Sequence, residues 1–158
     1  NRFAKLLPKS GKIVTGGARE AAEAFLGHAI GHDKAAALPG RLERRGRELW
    51  DGAHNPAGTA WLRAHITDPY DVVVASILRD KDADAMLADL AQLAPTMIAT
   101  QSTNPRALSA ADLAAHATRH FRQVETEPDP RRALARARES TRGGILVTGS
   151  LYLLADLS

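Results

Sequence analysis

The chain has 158 residues, 44% of them hydrophobic, which is the length of one ordinary domain with enough apolar material for a proper core. Its formal charge is +3, from 21 Lys and Arg against 18 Asp and Glu, and aromatic residues make up only 4%. That argues against the clustered basic and aromatic surface of a nucleic-acid binder. There is no cysteine, which removes disulfides and thiolate metal sites and fits a cytoplasmic setting, and nothing suggests export or membrane insertion.

Residues 1–17 show no sustained period and are punctuated by Pro8, Gly11 and Gly16-Gly17. They read as a tail or linker with a short strand at Lys12–Thr15. Gly11-Lys12 hints at a phosphate loop, but Leu6 stands where the first glycine belongs and Ile13 follows the lysine. The stretch 18–30 reads as a helix with Ala22, Phe25, Leu26 and Ile30 on one face. The next stretch, "GHDKAAALPG", is closed by the turn dipeptide Pro39-Gly40. The chain starts at Asn1 rather than methionine, as expected of a piece of a longer protein.

From Arg41 the pattern changes. "RLERRGRELWDGA" predicts two short strands joined at Arg45–Gly46. Then come a helix in "AGTAWLRAHI", with Trp61, Leu62 and His65 at i, i+1 and i+4, and a strand in the apolar run "DVVVASIL". "DADAMLADLAQLA" predicts a helix with Met86, Leu87, Leu90 and Leu93 on one side, and "TMIATQS" a strand. "SAADLAAHATRH" predicts a helix with Ser109 as N-cap, and "FRQVETE" a short strand. "DPRRALARARES" predicts a helix with Asp129 as N-cap and Pro130 at its first position. "GGILVTGS" predicts the last buried strand, and "LYLLADL" the last short element. The basic runs "RLERRGR" and "PRRALARARESTR" alternate with acids and alanines and read as solvated faces.

Strands spaced by helices mean βα repetition and a mostly parallel α/β sheet. Ligands of such sheets bind beyond the carboxyl ends of the strands. Four segments fall there: Asp51-Gly52-Ala53-His54-Asn55-Pro56, Arg79-Asp80-Lys81-Asp82, Thr103, Asn104 and Arg106, and Gly149-Ser150. Singly, each has a structural reading. Asp51 can cap a helix or close a turn, Asp82 can be an N-cap, and Gly149-Ser150 can start a helix. Jointly, an Asp beside a His and an Asn serves no single structural need. A carboxylate such as Asp51 can accept both hydroxyls of a ribose. Arg41 can stack on an adenine or offset phosphate charge, His54 and Asn55 can donate to a carboxylate, and Ser150 can help hold an anion. The pairs His28/His32 and His116/His120 sit at i, i+4 without the glutamate of a metalloprotease helix and are not read as metal sites.

"PGRLE", "DGAHNPAG", "DKD", "RAL" and "GSLYL", in this order, resemble the C-terminal domain of folylpolyglutamate synthase/dihydrofolate synthase, in the Mur ligase superfamily. The resemblance runs from about Leu38 to the end. It implies a Rossmann-like, mostly parallel sheet with helices on both faces and one antiparallel hairpin strand at its start. Residues 38–158 would form this domain, and 1–37 a linker and the tail of a central ATPase domain. That central domain would be the partner that carries the phosphate loop, binds ATP and Mg²⁺, and phosphorylates a folate carboxylate. The C-terminal domain would help bind ATP and present L-glutamate, whose amine attacks the acyl phosphate. Carried over by motif, Arg41 and Asp51 would contact ATP, at adenine and ribose. His54, Asn55 and Ser150 would lie at the glutamate site, and Asp80, Lys81 and Asp82 would shape an interdomain site. The rivals are a peptidoglycan Mur ligase domain, against which "GSLYL" argues, and a stand-alone Rossmann-like binding module.

Overall fold

The computed structural model describes residues 40–158. The strand and helix expected before residue 40, and the boundary expected at 37/38, lie outside the described residues. Two short strands open the domain, β1 (Glu43–Arg45) and β2 (Glu48–Trp50). They pair antiparallel, with Arg45 opposite Glu48, so the loop is Gly46-Arg47, one residue later than the sequence suggested. Gly46 at φ +61° supplies the positive φ that a two-residue hairpin loop needs at its first position.

Helices and strands then alternate as expected: α1 (Pro56–His65), β3 (Val72–Ala75), α2 (Ala83–Leu90), β4 (Thr96–Ala99), α3 (Ala110–Ala117), β5 (Gln123–Thr126), α4 (Pro130–Ser140), β6 (Ile145–Thr148) and α5 (Leu151–Leu157). Each of these five helices starts on a side chain that accepts a backbone N–H of its first turn. Asn55 takes Gly58, Asp82 takes Ala85, Ser109 takes Asp112, Asp129 takes Arg132 and Ser150 takes Tyr152. Such a cap contributes about 1 kcal/mol. Pro56 and Pro130 occupy first-turn positions, where a missing N–H costs nothing. The elements are shorter than the apolar runs that announced them. The run ending at Ala94 leaves the helix after Leu90, because the Gln92 and Leu93 N–H groups turn to the carbonyls of Asp89 and Leu90.

The sheet order is β1-β2-β6-β3-β4-β5, with β2, β6, β3, β4 and β5 parallel to one another and β1 antiparallel to β2. Period-two alternation divides the core into two layers. Leu49, Val73, Ala75, Met97 and Leu146 face α1, α2 and α3, through Leu62, Met86, Leu87, Leu90 and Leu113. Trp50, Val72, Val74, Ile98, Ile145 and Val147 face α4 and α5, through Ala133, Leu134, Ala137, Leu153 and Leu154. The α/β class and the single hairpin strand read from the sequence are both present.

Glu48 is a buried carboxylate on the second face. It accepts from Arg138 Nε at 2.5 Å and Nη2 at 3.1 Å, and from Trp50 Nε1 at 2.9 Å. Arg45 lies over the Trp50 ring, 3.7 Å from its centroid. Burial pushes the Glu48 carboxyl up, but the bonds from Arg138 and Trp50 outweigh it and hold the group below its usual range. A lowered folded pKa contributes stability that is complete above the unfolded carboxylate pKa and is lost as pH falls through the folded one. Arg138→Met is therefore expected to cost about 1–3 kcal/mol at neutral pH, reduced from a fully buried pair because Arg138 is half exposed. In urea unfolding, that cost should shrink as the pH is taken below the ordinary carboxylate range.

Candidate functional site

Helix placement marks the switch point of the sheet. After β2 the chain turns to the face of α1, and after β6 it turns to the opposite face, where α5 packs. β2 and β6 are neighbours, so their loops part in opposite directions, the arrangement that leaves a ligand crevice at the carboxyl edge. β4 and β5 diverge in the same way, but their junction is closed. Gln101 N–H and Thr100 Oγ1 both donate to Pro128 O, and Glu127 N–H donates to Ala99 O.

The loop after β2 is anchored to β6 by Asp51 N–H on Val147 O at 3.0 Å. Asp51 is buried, 8% exposed. Its Oδ2 accepts Leu42 N–H at 3.0 Å and its Oδ1 accepts Ala53 N–H at 2.8 Å. Gly52 N–H donates to Gly40 O at 2.6 Å. These bonds fold the segment before β1 onto the loop. Gly40 takes φ +77° and Leu42 takes φ +44°, so exposed Arg41 sits between two left-handed residues. For leucine that conformation costs about 1–2 kcal/mol, which the hydrogen bond from its own N–H to the Asp51 carboxylate, at about 1.5 kcal/mol or more, offsets. Of the two structural readings open for Asp51, the structure selects the turn, and Asn55 caps α1.

His54 is exposed, and its Nδ1 lies 2.9 Å from Gly52 O. A carbonyl only accepts, so Nδ1 carries the proton and the neutral ring offers Nε2 as an acceptor. Donation from Nε2 to a carboxylate, as the sequence suggested, requires the imidazolium. Asn55 spends Oδ1 on Gly58 N–H at 2.8 Å and keeps its NH₂ as donor. Ser150 is 1% exposed, and its Oγ accepts Tyr152 N–H at 3.1 Å. Contact between the two loops and the segment before β1 is tight. A Cβ on Gly52 would overlap Leu151 Cδ2 and lie 3.2 Å from Gly40 O. The structure thus gathers the segments that carry Arg41, Asp51, His54, Asn55 and Ser150.

Asp80, Lys81 and Asp82 belong to a second cluster. Asp80 meets Lys81 Nζ at 3.3 Å and Arg106 at 3.7 Å. The hydrogen bond from Lys81 is the main reason that its carboxyl sits below its usual range, against slight desolvation. Arg79 N–H donates to Arg106 O, which joins the β3 and β4 loops, and Asp82 caps α2. His116 Nδ1 and His120 Nε2 share the Asp84 carboxylate at 3.2 and 3.3 Å. Among the described residues, no group of three or more His, Asp or Glu is placed to hold a metal ion. A depression of about 110 Å³ lined by Leu42, Arg44, Leu49, His65, Ile66 and Tyr70, among others, lies beside β1 and the end of α1, and Arg41, His54 and Ser150 do not line it.

Sequence reasoning passed over the hydroxyls that end the strands. Ser76 Oγ accepts Ser102 N–H at 3.0 Å, Thr100 Oγ1 donates to Pro128 O at 3.2 Å, and Thr148 is fully buried, whereas Thr103, which the sequence did place at this edge, donates from N and Oγ1 to Asp156 at 2.8 and 2.7 Å. The signal available was the change from apolar residue to Ser or Thr at the end of "VVVAS", "MIAT" and "ILVT".

A family model described as "Mur ligase, glutamate ligase domain" matches residues 40–151. The chain belongs to this family. Dihydrofolate synthase/folylpolyglutamate synthase of Mycobacterium tuberculosis is 38% identical over 94 residues, covering 55% of this chain and 19% of that protein. The structure of M. tuberculosis folylpolyglutamate synthase complexed with ADP and AMPPCP matches with a TM-score of 0.70 and 34% identity, over 86% of this chain and 36% of that one. E. coli FolC in complex with DHPP and ADP matches with a TM-score of 0.68 and 25% identity, over 77% of this chain and 30% of that one. The chain spans well under half the length of these relatives, and the likeness to the folate branch read from its motifs is borne out.

In this glutamate ligase domain the turn from β6 to α5 depends on Gly149, at φ +98°. A Cβ there would stand 2.6 Å from Ser76 O. Gly149→Ala is expected to destabilise the domain by about 2–3 kcal/mol, read as a lowered midpoint in thermal or urea unfolding.

Proposed function

We propose that this domain is the C-terminal part of an ATP-dependent folate–glutamate ligase of the folylpolyglutamate synthase/dihydrofolate synthase type. Residues 38–158 would be the domain itself, and residues 1–37 the approach from a central ATPase domain, its partner. ATP and Mg²⁺ would be held mainly by that partner. Arg41 would meet the adenine and Asp51 the ribose, since each Asp51 oxygen accepts one N–H and retains a lone pair. His54, Asn55 and Ser150 would form the glutamate side. With Nδ1 on Gly52 O, the His54 ring turns Nε2 to the incoming ammonium or amine, the Asn55 NH₂ suits a carboxylate, and Ser150 fixes the first turn of α5. Asp80, Lys81 and Asp82 would face the partner domain.

One observation carries the proposal: the β2 and β6 loops part at neighbouring strands, and the segments bearing Arg41, Asp51, His54 and Ser150 converge there. Family membership supplies the chemistry, amide formation from an activated carboxylate and an amine. The 158 residues contain no phosphate loop, so the chain alone is expected to neither hydrolyse ATP nor extend a folate with glutamate. Folate-dependent glutamylation by the isolated chain would overturn that. In the protein encoded by the complete reading frame, Asp51→Ala and His54→Ala are each expected to lower glutamylation at least about tenfold with the fold retained, His54→Ala at an unchanged melting temperature and Asp51→Ala at a lowered one because two backbone N–H groups lose their acceptor. Near-native rates in both would remove the site assignment. Turnover of a UDP-muramyl precursor in place of tetrahydrofolate would move the protein to the peptidoglycan branch.

A further inference from the structure

We infer that Asp51 has a second task, as the positioning residue of Arg41. The inference rests on the proposed nucleotide role of that arginine. Arg41 lies between Gly40 at φ +77° and Leu42 at φ +44°. Glycine takes such a conformation freely; leucine does so only when its surroundings impose it. What imposes it is visible. Leu42 N–H points at Asp51 Oδ2, 3.0 Å away, and the other oxygen of the same carboxylate is fixed by Ala53 N–H at 2.8 Å. The next residue, Gly52, donates its N–H to Gly40 O at 2.6 Å and closes the bend from its other end. Gly40 N–H in turn donates to Glu43 Oε2 at 3.2 Å. The bend carrying Arg41 is therefore built on Asp51 and its neighbour, and Asp51 itself is tied to β6 through Val147 O. Carboxylate chemistry is essential, because both oxygens accept from N–H groups. An amide in its place would turn an NH₂ toward one of those donors. Loss of the carboxylate releases Leu42 to a right-handed or extended φ and swings Arg41 off the strand edge.

A ribose contact and a positioning role separate with 2′,3′-dideoxy-ATP, which offers no ribose hydroxyls. Binding is measured by calorimetry on the protein encoded by the complete reading frame. Arg41→Ala is expected to weaken dideoxy-ATP binding about tenfold. Asp51→Asn is expected to weaken it to a similar degree although no hydroxyl is present. The double variant should fall within about twofold of Arg41→Ala alone, because one contact is lost in each case. Wild-type dideoxy-ATP affinity in Asp51→Asn, or losses that multiply in the double variant, overturns the positioning role. Wild-type affinity in Arg41→Ala instead overturns the nucleotide reading on which it rests. Should Asp51→Asn not fold, Leu42→Pro keeps the carboxylate, removes the N–H that it holds and forbids a positive φ. A loss matching Arg41→Ala supports the proposal, and unchanged affinity overturns it.

Discussion

Strand β6 comes last in the parallel sheet yet lies between β2 and β3, and that insertion constrains the whole carboxyl edge. Its four residues are buried on both faces, with Leu146 in one core layer and Ile145 and Val147 in the other. The face above β2 and β3 is occupied by α1, α2 and α3, so α5 has room only on the opposite side. Turning there within two residues requires the positive φ of Gly149 and a backbone approach to Ser76 O that no side chain permits. The crevice is thus a result of strand order. Helices that leave adjacent parallel strands on opposite faces draw their loops apart, and at β2 and β6 no bond among the described residues like those from Gln101 and Thr100 to Pro128 O joins the two loop tips.

At that edge the structural duties fall on the same atoms to which the proposed function gives chemical ones. Asn55 and Ser150 cap helices with the side-chain oxygens that also make them polar strand-end residues. Asp51 uses one lone pair of each oxygen to order the Arg41 bend and keeps the others. A capping residue at a strand end is already oriented, because its helix fixes the rotamer, so its remaining donor or acceptor meets a ligand with little entropy left to lose. The choice posed by the sequence, turn residue or site residue, is therefore not exclusive.

Local chemistry made much of this legible. The N-caps at Asp82, Ser109 and Asp129 and the first-turn Pro130 are short-range patterns, and the structure has them where the sequence placed them. The parallel sheet followed from strand and helix alternation. Other features depend on partners far away in sequence. Glu48 and Arg138 are 90 residues apart, Thr103 and Asp156 are 53 apart, and no periodicity connects them. Leu42 at positive φ was hidden as well, because leucine has no preference for that region and takes it only once Asp51 is in place nine residues later. Strand order was the largest omission, since every strand of "ILVT" composition is equally suited to any central position.

The edge described by residues 40–158 is open. Arg41 and His54 are exposed, and beside them Leu42, Leu151 and Tyr152 are 38%, 54% and 45% exposed. In water a guanidinium or imidazole interacts with a ligand charge several-fold more weakly than in a dry site. An acyl phosphate in the same place would also be open to hydrolysis. Under the proposed ligase role, amide formation here would need a second surface that excludes water, and the apolar side chains around the polar tips suit contact with one. In that proposal the domain would supply pre-oriented groups on a rigid sheet, and the low dielectric that strengthens them would come from the surface that closes over them.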